Sequence, residues 1–179
     1  MKRPNISIMR TFSGGLAILA LAGLPILSGS SAAEEKAGEG LAFLPQNLVD
    51  AEGKNVRREK ALQGKTVGLY FSAKWCAPCK AFTPGLVKFR DANSKEFEIV
   101  FVSFDKDDKE LKDYMKSYGM KFPAVNFEGE ARQELADRYG VRSIPTLVII
   151  GADGKEITRD GRGDLTADAG GALAKWKKG

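Results

Sequence analysis

Two cysteines, Cys76 and Cys79, are the only ones in the 179-residue chain, and Ala77 and Pro78 separate them. The pair follows a short apolar run at residues 67–72 and precedes a segment whose apolar residues have helical spacing. The first sulfur is therefore expected near a helix N-terminus, where unpaired N–H groups and the helix dipole lower the pKa of a thiol. This placement predicts that Cys76 is the attacking nucleophile and that Cys79 resolves a mixed disulfide.

Three other uses of such a cysteine pair are possible in principle. A zinc knuckle needs two further ligands, and the sequence contains no His and no other Cys. A purely structural disulfide would close so small a loop that its entropic stabilisation would be slight. A carrier of soft metals with two thiolates is the third alternative, but Trp75 and Pro78 make the motif stiff and aromatic rather than flexible. Redox exchange is the favoured chemistry, and neither a metal nor an organic cofactor is expected.

The composition excludes several function classes. Without His, the chain has no imidazole for general acid–base catalysis or for a Ser-His or Cys-His nucleophile pair. The 28 basic and 23 acidic residues leave a net charge of +5, but three of the basic side chains lie within the first 33 residues, which contain no acidic ones. The remainder is close to neutral, so no nucleic-acid partner is expected.

The N-terminus has the three-part pattern of a secretory signal peptide. Basic side chains come first, an apolar run follows at residues 16–27, and the small residues Ser31, Ala32 and Ala33 precede Glu34. We expect residues 1–33 to be a signal peptide cleaved after Ala33, which would make the protein periplasmic or otherwise exported. The alternative is an uncleaved membrane anchor, because residues 11–33 carry no charge.

The remaining chain is predicted to hold one domain. Residues 34–40 have the composition of a flexible tail, and residues 41–179 are long enough for a single core. Apolar periodicity and turn residues predict a hairpin at 48–56, strands at 67–72 and 97–104, an extended segment at 122–127, and a second hairpin at 146–159. They predict helices at 78–93, 105–118, 130–139 and 165–176. This alternation indicates an α/β fold, a mixed sheet covered by helices on both faces.

Three segments of the sequence resemble those of a known family. FSAKWCAPCK (residues 71–80), VSFDKDDKELKDYM (102–115) and YGVRSIPTLVIIGADGKEITRDGR (139–162) are similar to the tryparedoxin and nucleoredoxin group of thioredoxin-fold oxidoreductases. The resemblance implies a thioredoxin-like three-layer α/β/α fold with a central mixed sheet and an N-terminal hairpin extension. It covers residues 41–163, and its most specific parts are the WCxxC motif and the triplet Ile144-Pro145-Thr146.

The resemblance also implies roles for the residues around the cysteines. Cys76 and Cys79 would form the catalytic disulfide, and the Ile144–Pro145 bond would be cis and face it. Ile144 would present its backbone to an extended peptide, and Pro145 would keep metal away from the two sulfurs. Trp75 immediately precedes the turn, so we interpret it as a lid beside Cys76, with a core aromatic as the alternative. With Ala77 and Pro78, these three residues make up the expected substrate-binding surface.

Two positions depart from the thioredoxin pattern. Many thioredoxins have a buried Asp six residues before the first Cys, but this chain has Tyr70, as tryparedoxins do, and Phe101 replaces the Lys that often accompanies that Asp. The proton acceptor for Cys79 is therefore left open between water and a carboxylate such as Glu128 or Glu130.

The sequence thus predicts an exported thiol-disulfide oxidoreductase. Its expected partners are protein thiols and disulfides and an upstream thiol electron donor, with a membrane involved only if the N-terminal segment stays uncleaved. Reduction of substrates is the favoured direction. The alternatives are a disulfide oxidase or isomerase, and a non-catalytic thioredoxin-fold binding module with a static disulfide.

Overall fold

A computed structural model describes residues 40–178. The predicted signal peptide and residues 34–39 of the predicted tail lie outside the described residues. The strands are β1 (Asn47–Val49), β2 (Asn55–Arg57), β3 (Thr66–Ser72), β4 (Phe97–Ser103), β5 (Thr146–Ile150) and β6 (Glu156–Thr158). The helices are α1 (Arg58–Leu62), α2 (Ala77–Ala92), α3 (Asp108–Ser117), α4 (Ala131–Arg138), α5 (Gly161–Asp168) and α6 (Ala172–Trp176).

The central sheet has the strand order β4-β3-β5-β6. Strands β3 and β4 are parallel, whereas β5 is antiparallel to both β3 and β6, so the sheet is mixed as predicted. In the parallel pair Ser72 lies opposite Ser103, so both strands end at the same edge of the sheet. The residues that follow these two strands therefore meet at this edge.

Helices cover both faces of the sheet and give it two apolar cores. Odd and even positions of β4 separate cleanly, since Ile99 and Phe101 face one cluster and Val100 and Val102 the other. The first cluster includes side chains of α2, α3, α5 and α6, and the second includes those of α1 and α4. Because both faces of the strands are buried, their sequences are continuous apolar runs rather than alternating ones. The three-layer α/β/α architecture is confirmed.

The N-terminal hairpin of β1 and β2 is also confirmed, and a single residue connects it to the sheet. The backbone of Ala124 exchanges hydrogen bonds of 2.8 and 2.9 Å with Val49, and the bonds on either side of it reach Phe101 of β4. The prediction of an extended segment at 122–127 was only partly right, because the segment forms isolated bridges and no strand. Pro123 contributes no N–H for a longer ladder.

The prediction of one helix at 165–176 was wrong, because α5 and α6 are separate. Helix α5 begins earlier, where the Asp160 side chain accepts the N–H of Gly163 at 3.1 Å and caps the helix. It ends before Gly170 and Gly171, the residue type least favourable within a helix apart from proline. Within residues 40–178, no helix is both long enough and apolar enough to cross a membrane.

Candidate active site

The two cysteines lie where the predicted strand-to-helix turn placed them. Strand β3 ends at Ser72, Cys76 is the N-cap of α2, and a disulfide joins Cys76 to Cys79 with their Cα atoms 5.2 Å apart. The Cys76 sulfur accepts the backbone N–H of Cys79 at 3.2 Å. A thiolate at this position would receive the same N–H and the positive end of the helix dipole, both of which favour the charged form.

Access distinguishes the two sulfurs. Cys76 retains 5% of its surface, whereas Cys79 is completely buried under the first turn of α2. Neighbouring Ala77 and Pro78 are exposed, and Pro78 lies in the first turn of the helix, where a missing N–H costs no hydrogen bond. The geometry supports Cys76 as the sulfur that meets a substrate.

Alkylation should distinguish the two thiols in the reduced protein. At mildly acidic pH we expect iodoacetamide to label Cys76 before Cys79, because Cys76 is the more accessible sulfur and the one at the N-cap. Mass analysis of peptides after brief labelling measures the order. Labelling of Cys79 first, or of both at equal rates, would contradict the assignment of the nucleophile.

The loop before β5 lies against Cys76. The carbonyl oxygen of Ile144 is 3.8 Å from the Cys76 sulfur, and the Ile144–Pro145 bond is cis, as the resemblance implies. A disulfide sulfur carries no hydrogen, so this is a van der Waals contact, which a reduced Cys76 thiol would convert into a weak hydrogen bond. Pro145 is buried and Ile144 half-buried beside the cysteines. All members of the expected substrate-binding surface therefore lie at one edge of the sheet.

Trp75 is on the surface and not in the core. It is the one large apolar side chain that the described residues expose, with 63% of its surface accessible. Its indole N–H donates to the carbonyl oxygen of Phe104 at 3.1 Å, which holds the ring over the end of β4. The alternative of a core aromatic is wrong, and the location next to Cys76 fits a residue that contacts substrates.

Asp105 is a buried carboxylate that the sequence analysis did not single out. One of its oxygens accepts the N–H of Lys74 at 2.7 Å and the other accepts the Ser103 hydroxyl at 2.8 Å, while 5% of the residue is exposed. Burial raises the pKa of Asp105, although the hydrogen bonds from Ser103 and Lys74 act in the opposite direction. Asp105 thereby ties the end of β4 to the loop that carries Trp75 and Cys76. Asp105 lies just after β4, which is parallel to β3, so its side chain reaches the same edge of the sheet as the cysteines. This location is the sequence signal that could have revealed it.

The raised pKa of Asp105 predicts the pH dependence of an Asn substitution. Below the pKa of about 3.8 in the unfolded chain, the Asp105 carboxyl is neutral in both the folded and the unfolded state. Its contribution to the stability of the fold is then at its full value. As the pH rises through the higher pKa of the folded state, the unfolded chain releases its proton first and wild-type stability is lost. Urea unfolding across this range should show wild type losing stability relative to Asp105→Asn.

Asp153→Asn is the matched control for this measurement. The pKa of Asp153 is lowered, mainly because its side chain accepts the backbone N–H of Lys155. Wild type should therefore gain stability relative to Asp153→Asn as the pH rises from the lower pKa of the folded state to about 3.8, and should keep that gain at higher pH. Slopes of the same sign in the two variants would show that Asp105 is not an unfavourably buried carboxylate.

Behind Cys79 lies a cluster of buried hydroxyl groups. Tyr70 occupies the position of the thioredoxin carboxylate, and its hydroxyl is 2.8 Å from that of Thr83, which donates to the Cys79 carbonyl at 2.8 Å. Tyr114 reaches the same Thr83 oxygen at 2.6 Å. Burial raises the pKa of Tyr70, so the phenol stays neutral. The sequence analysis missed the hydrogen bond from Thr83 to Cys79. The signal for it was their spacing of four residues, at which a helical Thr can donate to a backbone carbonyl.

Neither of the carboxylates suggested for Cys79 is placed to serve it. Glu128 and Glu130 are both exposed, and among the described residues no hydrogen bond connects either side chain with the cysteines. Residues 40–178 contain no group of three or more His, Cys, Asp or Glu arranged to hold a metal ion. The hydroxyls of Thr83 and Tyr70 lie 2.8 and 3.4 Å from the Cys79 carbonyl oxygen.

A groove of about 360 Å³ opens beside Trp75. Its lining combines cationic, aromatic and polar side chains: Lys74, Trp75, Lys80, Glu110, Ser117 and Tyr118. Lys74 is 3.5 Å from Asp113, and Lys80 is exposed. Both lysines lie within four residues of Cys76 in the sequence, but the ion pair with Asp113 offsets part of the charge of Lys74.

Comparison with known proteins agrees with this geometry. A thioredoxin-like family model matches residues 64–156. The chain is 44% identical over 119 residues to probable nucleoredoxin 1 of Arabidopsis thaliana, a match that spans 65% of this chain and 20% of that protein. It is 42% identical over 121 residues to the tryparedoxin of Trypanosoma brucei brucei, which covers 65% of this chain and 82% of the relative. The chain thus spans about a quarter of the nucleoredoxins it matches and most of the tryparedoxin.

Solved structures show the same similarity. The tryparedoxin structure from Trypanosoma brucei superimposes with a TM-score of 0.68 at 38% identity, over 76% of this chain and 97% of that one. A tryparedoxin II structure complexed with glutathionylspermidine has a TM-score of 0.67 at 34% identity, over 74% of this chain and 94% of that one. The central sheet, the covering helices and the cysteine-bearing turn are thus parts of one shared fold.

Proposed function

The chain belongs to the thioredoxin-like family of oxidoreductases, and from that premise we propose that it is an exported reductase of protein disulfides. The observation that carries the proposal is the Cys76–Cys79 disulfide at the N-terminus of α2, in which Cys76 retains 5% of its surface and Cys79 none. Ile144 and Trp75 add a backbone and an aromatic surface beside that first sulfur.

The exchange proceeds in two steps. The reduced Cys76 thiolate attacks a substrate disulfide, one substrate sulfur leaves as a thiolate, and a mixed disulfide remains on Cys76. Cys79 then attacks the Cys76 sulfur, and the second substrate sulfur leaves with the electron pair. Two electrons have passed to the substrate, and the protein holds the intramolecular disulfide that an upstream thiol donor must reduce again.

The residues between the cysteines favour a reducing protein. A strongly oxidising pair needs a very stable thiolate on the first cysteine, because this stabilises the reduced form. Ala77 and Pro78 bring no charge to the site, and the chain has no His that could supply one. Of the backbone N–H groups of the described residues, only that of Cys79 bonds to the Cys76 sulfur. Lys74 and Lys80 would stabilise the Cys76 thiolate only weakly, because solvent screens their charges.

Two measurements test the proposed activity. We expect an equilibrium reduction potential between about −200 and −270 mV, the range from glutaredoxins to thioredoxin. We also expect faster reduction of insulin by dithiothreitol. A potential near about −120 mV would instead support an oxidase. No acceleration of insulin reduction over buffer would favour the non-catalytic binding module.

The disulfide form of a small-molecule thiol is the second candidate substrate. The tryparedoxin II structure contains glutathionylspermidine, and the groove beside Trp75 has both lysines and an acidic side chain, Glu110, in its lining. Reduction assays with glutathione disulfide and insulin in parallel would rank the two substrate classes. Faster turnover of the small disulfide would reassign the substrate without changing the chemistry.

Export is the part of the proposal that rests on residues 1–33 alone. Their pattern of basic, apolar and small residues supports cleavage after Ala33. N-terminal sequencing of the protein recovered from its native source should therefore begin at Glu34. Recovery of the protein from a membrane fraction with residues 1–33 still attached would support the uncleaved membrane anchor instead.

A further inference from the structure

We propose that Thr83 is a positioning residue for the resolving cysteine, and that Tyr70 and Tyr114 orient its hydroxyl. In this arrangement the Thr83 hydroxyl holds the Cys79 carbonyl, and with it the Cys79 sulfur, in line with Cys76 during the second step of the exchange. The inference rests on the proposed redox function but not on export or on the substrate.

The hydroxyl cluster is built from three separate elements. Tyr70 and Ser72 come from β3, Thr83 from α2 and Tyr114 from α3, and all four are fully buried. The Tyr70 and Tyr114 oxygens are 2.8 and 2.6 Å from the Thr83 oxygen, and the Ser72 oxygen is 3.3 Å from that of Tyr114. Sheet, catalytic helix and neighbouring helix thus meet at one hydroxyl.

Counting hydrogens determines the direction of each bond. Thr83 has one hydrogen, which it donates to the Cys79 carbonyl, and two lone pairs, which the hydroxyls of Tyr70 and Tyr114 fill by donation. The Tyr70 oxygen is also 3.4 Å from that carbonyl, but its single hydrogen is used in the shorter bond to Thr83. All the hydroxyl hydrogens therefore point along the cluster toward Cys79, and Thr83 cannot rotate without breaking two buried bonds.

A back-bond from Thr to the carbonyl four residues earlier is common in helices and by itself implies little. Here the two tyrosines distinguish it, and so does Pro84, which has no N–H to offer the Lys80 carbonyl four residues earlier. The helix is thus missing a backbone bond just after Cys79. The hydroxyl cluster reinforces the first turn of α2 at the point where its backbone ladder is interrupted.

Only the second step of the exchange needs this support. In the first step Cys76 attacks from its accessible position at the N-cap. In the second step the Cys79 thiol gives up its proton, its sulfur bonds to Cys76, and the substrate sulfur leaves with the electron pair and takes up a proton. Cys79 is anchored on one side through its N–H to the Cys76 sulfur and on the other side through its carbonyl to Thr83.

Dithiobis(nitrobenzoate) separates the two steps, because each releases one coloured thiolate. Stopped-flow mixing of the reduced protein with this disulfide should give a first phase from Cys76 attack and a second from resolution by Cys79. For Thr83→Val we expect an unchanged first phase and a second phase slowed about tenfold, the effect of losing one buried hydrogen bond. Thr83→Ser keeps the hydroxyl and should restore the second phase.

Thr166→Val is the matched control. Thr166 makes the same back-bond, donating to the Arg162 carbonyl at 2.8 Å, but it is exposed and belongs to α5, whereas the cysteines belong to α2 and its N-cap. Its loss should change neither phase. Tyr70→Phe and Tyr114→Phe each remove one orienting hydroxyl at nearly constant volume, and each should slow only the second phase, whether or not Thr83→Val folds.

Equal slowing of both phases, or no slowing in the folded variants, would overturn the positioning role. The proposed function would stand in that case if insulin is still reduced. Conversely, a protein that fails with insulin but shows the selective slowing would retain the inference and lose its proposed substrate class.

Discussion

The Cys79→Ser variant is expected to accumulate a covalent adduct with insulin or a natural partner, and the Cys76→Ser variant is expected to form none. Cys76 is the accessible sulfur and can still attack a disulfide when Cys79 is lost. Only the buried Cys79 lies close enough to release the bound substrate, so the mixed disulfide persists without it. Both variants should lose catalytic turnover.

Non-reducing gels, with mass analysis of the adduct, measure this result. The double variant Cys76→Ser with Cys79→Ser is the control, because any band that it still forms does not arise from the pair. Adducts from Cys76→Ser and none from Cys79→Ser would reverse the two roles. A band that disappears on reduction and contains a Cys76 peptide would also identify the partner.

Trp176→Ala is expected to lower the free energy of unfolding by about 3–5 kcal/mol, the range for truncating a large buried aromatic. Trp176 is 1% exposed, and its ring centroid lies 5.6 Å from that of Phe89 and 5.4 Å from that of Phe97. Its indole N–H donates to the Asp164 side chain at 2.8 Å. The substitution therefore leaves a cavity and removes one of the links between α6 and α5.

The other tryptophan of the chain supplies the control. Trp75→Ala makes the same chemical change at a residue that is 63% exposed, so its unfolding free energy should stay within about 0.5 kcal/mol of wild type. Urea unfolding followed by circular dichroism measures both variants. A loss of unfolding free energy for Trp176→Ala as small as that expected for Trp75→Ala would show that the C-terminal helices do not belong to the core.

Local patterns were sufficient for most of the secondary structure. The apolar runs predicted β3 and β4 within a residue or two, and Leu111, Tyr114 and Met115 are buried on one face of α3 as their spacing indicated. The failures came where spacing was ambiguous. Residues 165–176 have apolar side chains compatible with one helix, but Gly170 and Gly171 favour a break and Asp160 starts a separate helix.

The sequence by itself determined the chemistry of this protein. Cys76, Cys79 and the turn that carries them lie within a few residues of each other, so strand, N-cap and thiol follow from local rules. Only the tertiary structure decided what surrounds the sulfurs. The Ile144 carbonyl, the Asp105 carboxylate and the Tyr114 hydroxyl come from positions about 30 to 70 residues away. Their approach depends on strand order and on the register that sets Ser72 opposite Ser103. Strand order and register result from packing the whole chain around the sheet, and no short stretch of sequence encodes them.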